Sequence, residues 1–232
     1  MNKSKYGRGK IAAIKKGCAV CKGILEKTAK NLDKFKTEKD ASRFIDNAMN
    51  KHKLKRAFPT IVSGRRNARD IHHKPDKTKL ERGFLIIDFG ARIKGYCCDI
   101  TRTFFLGKPN AQEKKLYRIV LGCHNACVKF AKPGRNGKEM FLFARGKLGK
   151  FGRQLKHGLG HGLGKKIHCY PGMKRKSADI LRENDVITIE PGIYKKGRYG
   201  IRIEDDYLVT KKGLKKLSKI KTNLISLAKW QN

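Results

Sequence analysis

Apolar residues recur every three or four positions in two long stretches of the chain. The first stretch contains Ile11, Ile14, Cys18, Cys21 and Leu25, with lysines between them. This spacing predicts helical structure over about 8–50, including a second helix near 41–49. The same spacing predicts a helix over 111–132, which ends at a Pro-Gly pair.

A different pattern occurs twice, about a hundred residues apart: an apolar strand that ends on an acid. The strands at 84–88 and 99–104 enclose a turn containing Gly and Tyr, and so do those at 186–190 and 201–204. Each pair is predicted to form a β-hairpin with one acid on each strand, which brings its two carboxylates together. Two equivalent hairpins predict a duplicated fold.

The four acids of these hairpins are predicted to be buried, because the strands around them are almost entirely apolar. They are Asp88, Asp99, Glu190 and Glu204. A buried carboxylate is costly unless it is paired or binds a metal ion. A salt bridge to one of the many lysines or arginines explains a single acid, whereas four acids in matched hairpins favour metal binding.

Histidines lie close to one another in a glycine-rich stretch at 157–168. His157, His161 and His168 fall within twelve positions, and four glycines stand among them. No nucleotide-binding glycine motif fits this stretch, so the glycines are predicted to let the backbone approach closely while presenting the histidines. Carboxylates with an imidazole suit Mn, Co, Fe or Zn, and bridging carboxylates predict a dinuclear hydrolytic site.

These motifs resemble the metallopeptidases of the pita-bread fold, which include methionine aminopeptidases, Xaa-Pro aminopeptidases and prolidases. The resemblance covers about 11–216, and the motifs Asp-Ile-Thr-Arg-Thr at 99–103 and Arg-Ile-Glu-Asp at 202–205 are similar to those of the Xaa-Pro branch. It implies an α+β fold with a pseudo-twofold, duplicated antiparallel sheet flanked by helices. It also implies cleavage of an N-terminal Xaa-Pro peptide bond, with removal of N-terminal Met as the alternative activity.

The resemblance implies a role for each acid and for one histidine. Asp88 would bind one ion, His161 and Glu190 the other, and Asp99 and Glu204 would bridge both. A metal-bridging hydroxide would be the nucleophile, and Glu190 would carry the proton to the leaving nitrogen. The two divalent ions are expected to be Mn, with Co, Zn or Fe as alternatives.

Further residues match family positions that contact the peptide substrate. His72, His157 and His168 would bind substrate or stabilise the oxyanion, with His73 as an alternative to His72. Arg202, beside the bridging glutamate, would also bind substrate. The resemblance predicts one catalytic domain over 1–232, with a core at about 11–216, a basic tail at 217–232 and no separate N-terminal domain.

Charge and cysteine content add expectations about partners and compartment. The chain has 57 Lys and Arg against 19 Asp and Glu, a net charge of +38, which allows electrostatic association with nucleic acid or the ribosome. A non-catalytic binding homologue is therefore the alternative from another class, although the complete ligand set favours an enzyme.

The Cys-x-x-Cys at 18–21 is interpreted as two core residues rather than a metal or redox pair. Seven cysteines and no apolar run long enough for a membrane span predict a cytoplasmic protein, and a homodimer is also allowed.

Overall fold

A computed structural model describes residues 3–227 of the chain. The helices are α1 (Lys3–Lys30), α2 (Glu38–Lys51), α3 (Ala111–Phe130) and α4 (Gly137–Lys147). Two short 3-10 helices cover Leu32–Lys34 and Gly149–Gln154. The strands are β1 (Lys55–Arg56), β2 (Ile61–Ser63), β3 (Gly83–Phe89), β4 (Ala91–Ile93), β5 (Tyr96–Cys97), β6 (Ile100–Leu106), β7 (Gly160–Gly162), β8 (Cys169–Met173), β9 (Val186–Ile189), β10 (Gly192–Lys195), β11 (Tyr199–Arg202), β12 (Asp205–Thr210), β13 (Gly213–Lys216) and β14 (Ile225–Leu227).

Side-chain caps explain where the helices begin. α2, α3 and α4 each start with a capping box, in which the cap side chain and the acid three residues later bond to each other's backbone N–H groups. The cap of α2 is Thr37, which ends the break between α1 and α2. The helical stretch predicted over 8–50 is therefore two helices, and α3 matches the helix predicted over 111–132 apart from its last two residues.

Two sheets form the centre of the molecule. One has the strand order β14-β6-β3-β2 and the other β13-β12-β9-β7-β8. In each, a buried strand leads into a short strand pair and then into a long antiparallel partner: β3, the pair β4-β5 and β6 in the first, and β9, the ribbon β10-β11 and β12 in the second. The first pair is extended to three strands by β1, which pairs with β4. This repetition is the duplication that the sequence predicts.

The second hairpin differs from the prediction in its partner strand. The predicted partner of β9 was 201–204, but Tyr199–Arg202 is β11 and pairs with β10. The partner of β9 is β12, with Ile189 opposite Asp205. Residues 201–204 alternate apolar and polar side chains, whereas 205–210 do not, so periodicity favoured the segment that does not pair with β9.

The two halves join through hydrogen bonds between β6 and the residues just before β12. The Glu204 N–H donates to the Thr101 carbonyl at 3.1 Å, and the Thr103 hydroxyl donates to the Arg202 carbonyl at 2.8 Å. Acids of both hairpins therefore lie close to this junction.

The packed chain extends beyond the predicted core boundary at 216. Leu217 and Ile220 are buried with α1 and α2, and β14 pairs with β6 in parallel. The predicted tail at 217–232 is thus part of the fold as far as residue 227, since its few apolar residues fill the core despite the lysines around them. Residues 228–232 lie outside the described part of the chain.

Candidate metal centre

One cavity of about 1110 Å³ opens at the junction of the two halves. The nine predicted site residues all line this cavity: His72, Asp88, Asp99, His157, His161, His168, Glu190, Arg202 and Glu204. The strand ends that carry the acids come together here because both long antiparallel pairs stop at the same edge.

The first acid pair comes from the β3/β6 half. Asp88 lies within β3 opposite Thr101, and Asp99 is the residue directly before β6. Both are almost fully buried, with exposed fractions of 6% and 5%. The apolar neighbours that bury β3 therefore also enclose its carboxylate.

The second acid pair comes from the β9/β12 half. Glu190 directly follows β9 and Glu204 directly precedes β12. The Thr101 hydroxyl donates to Glu204 Oε2 at 2.6 Å, which links Glu204 to the strand of the other half. The Thr188 hydroxyl lies 3.3 Å from Glu190 Oε1 and donates to it.

His161 reaches the acids from the middle of β7, which lies between β8 and β9. A Cβ added to Gly160 would collide with the Thr188 carbonyl, and one added to Gly162 with the Tyr170 carbonyl. The flanking glycines thus allow close strand approach, as the sequence predicts. His161 Nδ1 donates to the Gly162 carbonyl at 3.1 Å, so Nε2 keeps its lone pair and lies 3.7 Å from Asp99 Oδ2 and 3.5 Å from Glu190 Oε1.

Among the described residues, too few positively charged groups lie near the carboxylates of the cavity to balance their negative charge. Three buried oxygens, Asp88 Oδ1, Asp99 Oδ1 and Glu204 Oε1, have no hydrogen-bond partner within residues 3–227. Burial and then the charge of Glu204 raise the pKa of Asp99 well above its ordinary value, and burial and then Glu190 do the same for Glu204. Burial also raises the pKa of Glu190 to about 8.

Divalent cations fit this arrangement. Asp99, His161 and Glu204 each offer a ligand atom, and these atoms lie within 4.8 Å of one another. Burial lowers the pKa of His161 to about 4, which keeps its imidazole neutral and able to donate a lone pair. Oxygen donors with one imidazole suit Mn, Co, Fe or Zn, and bound cations would supply the charge that the unpartnered oxygens lack.

Arg202 lies beneath the acids and is fully engaged by protein groups. Its Nη2 donates to Asp88 Oδ2 at 2.6 Å, its Nη1 to the Tyr194 hydroxyl at 2.8 Å and its Nε to the Thr101 hydroxyl at 3.1 Å. These bonds fix the orientation of Asp88. The predicted contact of Arg202 with substrate stays a prediction.

The four histidines considered for substrate binding have different surroundings. His157 Nδ1 donates to the Gly158 carbonyl at 2.7 Å, and its Nε2 lies 2.7 Å from the Tyr194 hydroxyl. Burial lowers the pKa of His157 to about 3, so the ring is neutral and Nε2 accepts from the tyrosine. His72 and His168 are exposed, whereas His73 is buried with Nε2 2.6 Å from Glu38 Oε2. The Glu38 contact favours His72 over His73 as the histidine available to a substrate.

Three residues of the site were missed by the sequence reasoning: Thr101, Thr188 and Tyr194. Thr101 is two residues from Asp99 and Thr188 is two residues from Glu190. A strand places residues two apart on the same face, so alternation could have found both threonines. Tyr194 contacts His157 and Arg202 only through the folding of the β10-β11 ribbon, and no local signal identifies it.

The model of metallopeptidase family M24 matches residues 12–211. The chain belongs to metallopeptidase family M24. This M24 chain is 38% identical over 220 residues to a protein named Xaa-Pro dipeptidase from Pyrococcus horikoshii, a match that covers 93% of the chain and 62% of that relative. It thus spans about three fifths of the relative's length.

Solved structures show the fold of this M24 chain. A prolidase from Thermococcus sibiricus aligns with a TM-score of 0.89 at 32% identity, covering 95% of this chain and 61% of that one. An X-Pro aminopeptidase from Thermotoga maritima aligns with a TM-score of 0.89 at 33% identity, covering 95% and 64%. The predicted α+β pita-bread fold is confirmed. Within residues 3–227, the M24 chain has no helix that is both long and apolar enough to cross a membrane.

Proposed function

We propose that this chain is a dinuclear metal-dependent exopeptidase that hydrolyses the Xaa-Pro bond at the N-terminus of peptides. The observation that carries the proposal is the set of buried, unpartnered carboxylate oxygens beside the free Nε2 of His161. Membership of family M24 and the printed names of the relatives, Xaa-Pro dipeptidase and X-Pro aminopeptidase, support the reaction class.

The proposed ligands divide between two ions. Asp88 would bind the first, His161 and Glu190 the second, and Asp99 and Glu204 both; Mn is the ion we expect first. Two such ions, when bound, supply a nucleophilic water at neutral pH and polarise the scissile carbonyl.

The chain's own groups then orient the substrate and move the proton. Glu190, held by Thr188, is the base and acid that takes the proton of the attacking water and passes it to the leaving nitrogen. A leaving proline nitrogen carries no hydrogen, so it must receive this proton. His72 and His168 line the cavity and are exposed, so their rings are available to donate to the substrate carbonyl.

Part of the cavity lining suits a proline ring. Four apolar residues are among those that line the cavity: Phe58, Pro59, Ile61 and Ile71. An apolar lining accommodates a ring that forms no hydrogen bonds, and this supports an Xaa-Pro substrate over a general peptide.

The test is cleavage of defined peptides by the reduced, metal-loaded chain with Mn, Co, Zn or Fe. We expect Ala-Pro and longer Xaa-Pro peptides to be cleaved at the first bond. Release of Met from Met-Ala-Ser without cleavage of Xaa-Pro peptides would replace this substrate with that of the methionine branch. Absence of any cleavage at full metal loading would favour the basic, nucleic-acid-associated binding role.

Glu190→Gln tests the proton transfer separately from metal binding. We expect turnover to fall about 10²–10⁴-fold at matched metal content, because an amide keeps an oxygen but cannot carry the proton. Glu183→Gln, an exposed acid outside the cavity, is the matched control and should keep normal turnover. Normal rates for Glu190→Gln would move the proton-transfer role to another group.

We also propose that the protein is cytoplasmic, and the state of its cysteines supports this. All seven cysteines lie within residues 3–227 and none forms a disulfide there. Reduced thiols suit a cytoplasmic protein.

A further inference from the structure

A second donor cluster lies behind the candidate metal centre, around the Cys-x-x-Cys of α1. Cys18 and Cys21 are fully buried and face the sheet, where Cys98 and Asp206 meet them. Donor atoms of Cys18, Cys98 and Asp206 all lie within 4.8 Å of one another. Cys21 Sγ lies beside this group of three, 3.7 Å from Cys98 Sγ, so three thiols and one carboxylate converge from three separate segments, namely α1, the residue pair before β6, and β12.

The carboxylate of this cluster is buried with too few partners. Asp206 has no exposed surface, and its Oδ2 accepts from the Cys18 thiol at 3.1 Å and from the Asp99 N–H at 3.1 Å. Its Oδ1 has no partner within residues 3–227, and no basic side chain there forms an ion pair with it. A buried carboxylate in such surroundings is costly unless a cation compensates its charge.

We propose that Cys18, Cys21, Cys98 and Asp206 bind one thiophilic divalent ion of the zinc class, separate from the catalytic pair. Zinc takes four sulfur, nitrogen or oxygen ligands in a tetrahedron, with Zn–S bonds of about 2.3 Å and hence S–S edges of about 3.8 Å. The Cys21–Cys98 separation of 3.7 Å matches such an edge. Each thiol that binds the ion releases its proton to solvent.

The environment of Cys98 suits a metal thiolate. The Ala91 N–H lies 3.3 Å from Cys98 Sγ and donates to it. Backbone N–H groups that bond to a ligand sulfur orient it and stabilise its negative charge. The Cys-x-x-Cys motif at 18–21, which the sequence predicts to lie in the core, thus meets two further donors, Cys98 and Asp206, through tertiary contacts.

A second cysteine pair shows what a core pair without a site looks like. Cys123 and Cys127 lie one turn apart on α3 with their Sγ atoms 3.9 Å apart, and the Cys123 thiol bonds to the Ala144 carbonyl. Among the described residues, no group of three donors forms around them. This pair supplies the matched control.

The proposed ion would stabilise the backbone beneath the catalytic ligands. Cys98 directly precedes Asp99, and Asp206 follows Glu204 by two residues while bonding to the Asp99 N–H. The site would tie α1 to both acid-bearing strands at once.

Cobalt(II) is the probe, because thiolate ligands give Co²⁺ an intense near-ultraviolet charge-transfer band that oxygen and imidazole ligands do not. We titrate the reduced, metal-stripped full chain with Co²⁺ and count metal per chain by elemental analysis. Wild type and Cys123→Ser should show the band, whereas Cys98→Ser should lose it and bind one ion fewer. Cys21→Ser and Asp206→Asn give the same test should Cys98→Ser fail to fold by circular dichroism.

Three results would overturn the proposal. The first is that the wild type binds Co²⁺ without showing the band, and the second is that folded Cys98→Ser shows an unchanged band. The third is a mass of the wild-type chain, measured before reduction, that is lower by two hydrogens, which would mark a disulfide. Because the readout is spectral, none of them depends on peptidase activity.

Discussion

Two adjacent residues, Glu204 and Asp205, are equally buried but enter opposite environments. Glu204 points into the candidate metal centre, where its Oε1 has no partner within residues 3–227. Asp205 points into what we call the arginine cluster, which consists of His124, Arg102, Asp205, Lys216 and Ser218. There Arg102 Nη2 lies 2.6 Å from Asp205 Oδ1 and Lys216 Nζ 2.8 Å from Oδ2.

The two acids also respond differently to burial. Burial raises the pKa of Glu204, and the neighbouring charges of Glu190 and Asp88 raise it further. Burial also acts to raise the pKa of Asp205, but Arg102 and Lys216 outweigh it, and the pKa is lowered. A buried acid with its own cation is thus structural, whereas a buried acid among other acids indicates that a cation must come from outside the chain.

The largest effect should follow from Glu204→Gln. We expect peptidase activity to fall about a thousandfold or more, equal to about 4 kcal/mol of transition-state stabilisation, because the negative charge of the proposed bridging ligand is lost. Metal-free stability should stay the same or rise, since an uncompensated buried charge is removed. Steady-state rates and urea denaturation measure the two quantities, and a large loss of metal-free stability would contradict the comparison.

Asp205→Asn should give the opposite result. Breaking a buried ion pair leaves Arg102 and Lys216 without their partner and should lower the free energy of unfolding by about 3–5 kcal/mol. The folded fraction should retain its peptidase rate per bound metal. A change below about 1 kcal/mol in urea denaturation would mean that the cluster contributes little.

Metal addition should stabilise the wild type far more than Glu204→Gln. Saturation to a hundred times Kd adds about 2.7 kcal/mol for each ion that binds only the folded chain. Denaturation curves with Mn²⁺ and with a chelator give this difference. Equal stabilisation of both proteins would place the ions elsewhere.

The smallest effect concerns His124, a member of the arginine cluster. Burial lowers its pKa to about 4, whereas an unfolded histidine titrates near 6.5. The neutral ring is favoured on folding, so stability is complete above pH 6.5 and falls as the pH drops towards 4. At pH 5 the loss should be about 2 kcal/mol relative to pH 8.

His124→Gln should remove this part of the pH dependence. Urea denaturation of both proteins at pH 8 and pH 5 isolates the contribution of His124 from those of His157 and His161. The same slope for both proteins would assign the pH dependence to other groups.

Much of the fold could be predicted from local patterns. Apolar periodicity predicted α3 almost to its ends, and nearly continuous apolar runs identified β3 and β9 as buried strands with an acid at or just beyond their ends. The motif resemblance named the acids and His161 that line the cavity. These inferences succeeded because each depends on residues within one element or one short segment.

The remaining contacts depended on the tertiary structure. The pairing of β9 with β12, the burial of Leu217 and Ile220, and the bonds of Tyr194 all join elements whose local patterns are compatible with other partners. Local periodicity likewise does not separate Glu204 from Asp205, since both lie in the same short acidic run, and it was the motif resemblance that singled out Glu204.

The cysteines show the division between the two sources of information. The sequence by itself determined that Cys18 and Cys21 share one buried face of α1, because helical spacing decides which residues are neighbours. Only the tertiary structure brought in Cys98, 77 residues from Cys21, and Asp206, 188 residues from Cys18. Local periodicity describes which side of an element is buried, whereas the group that it meets is set by chain packing over the whole molecule.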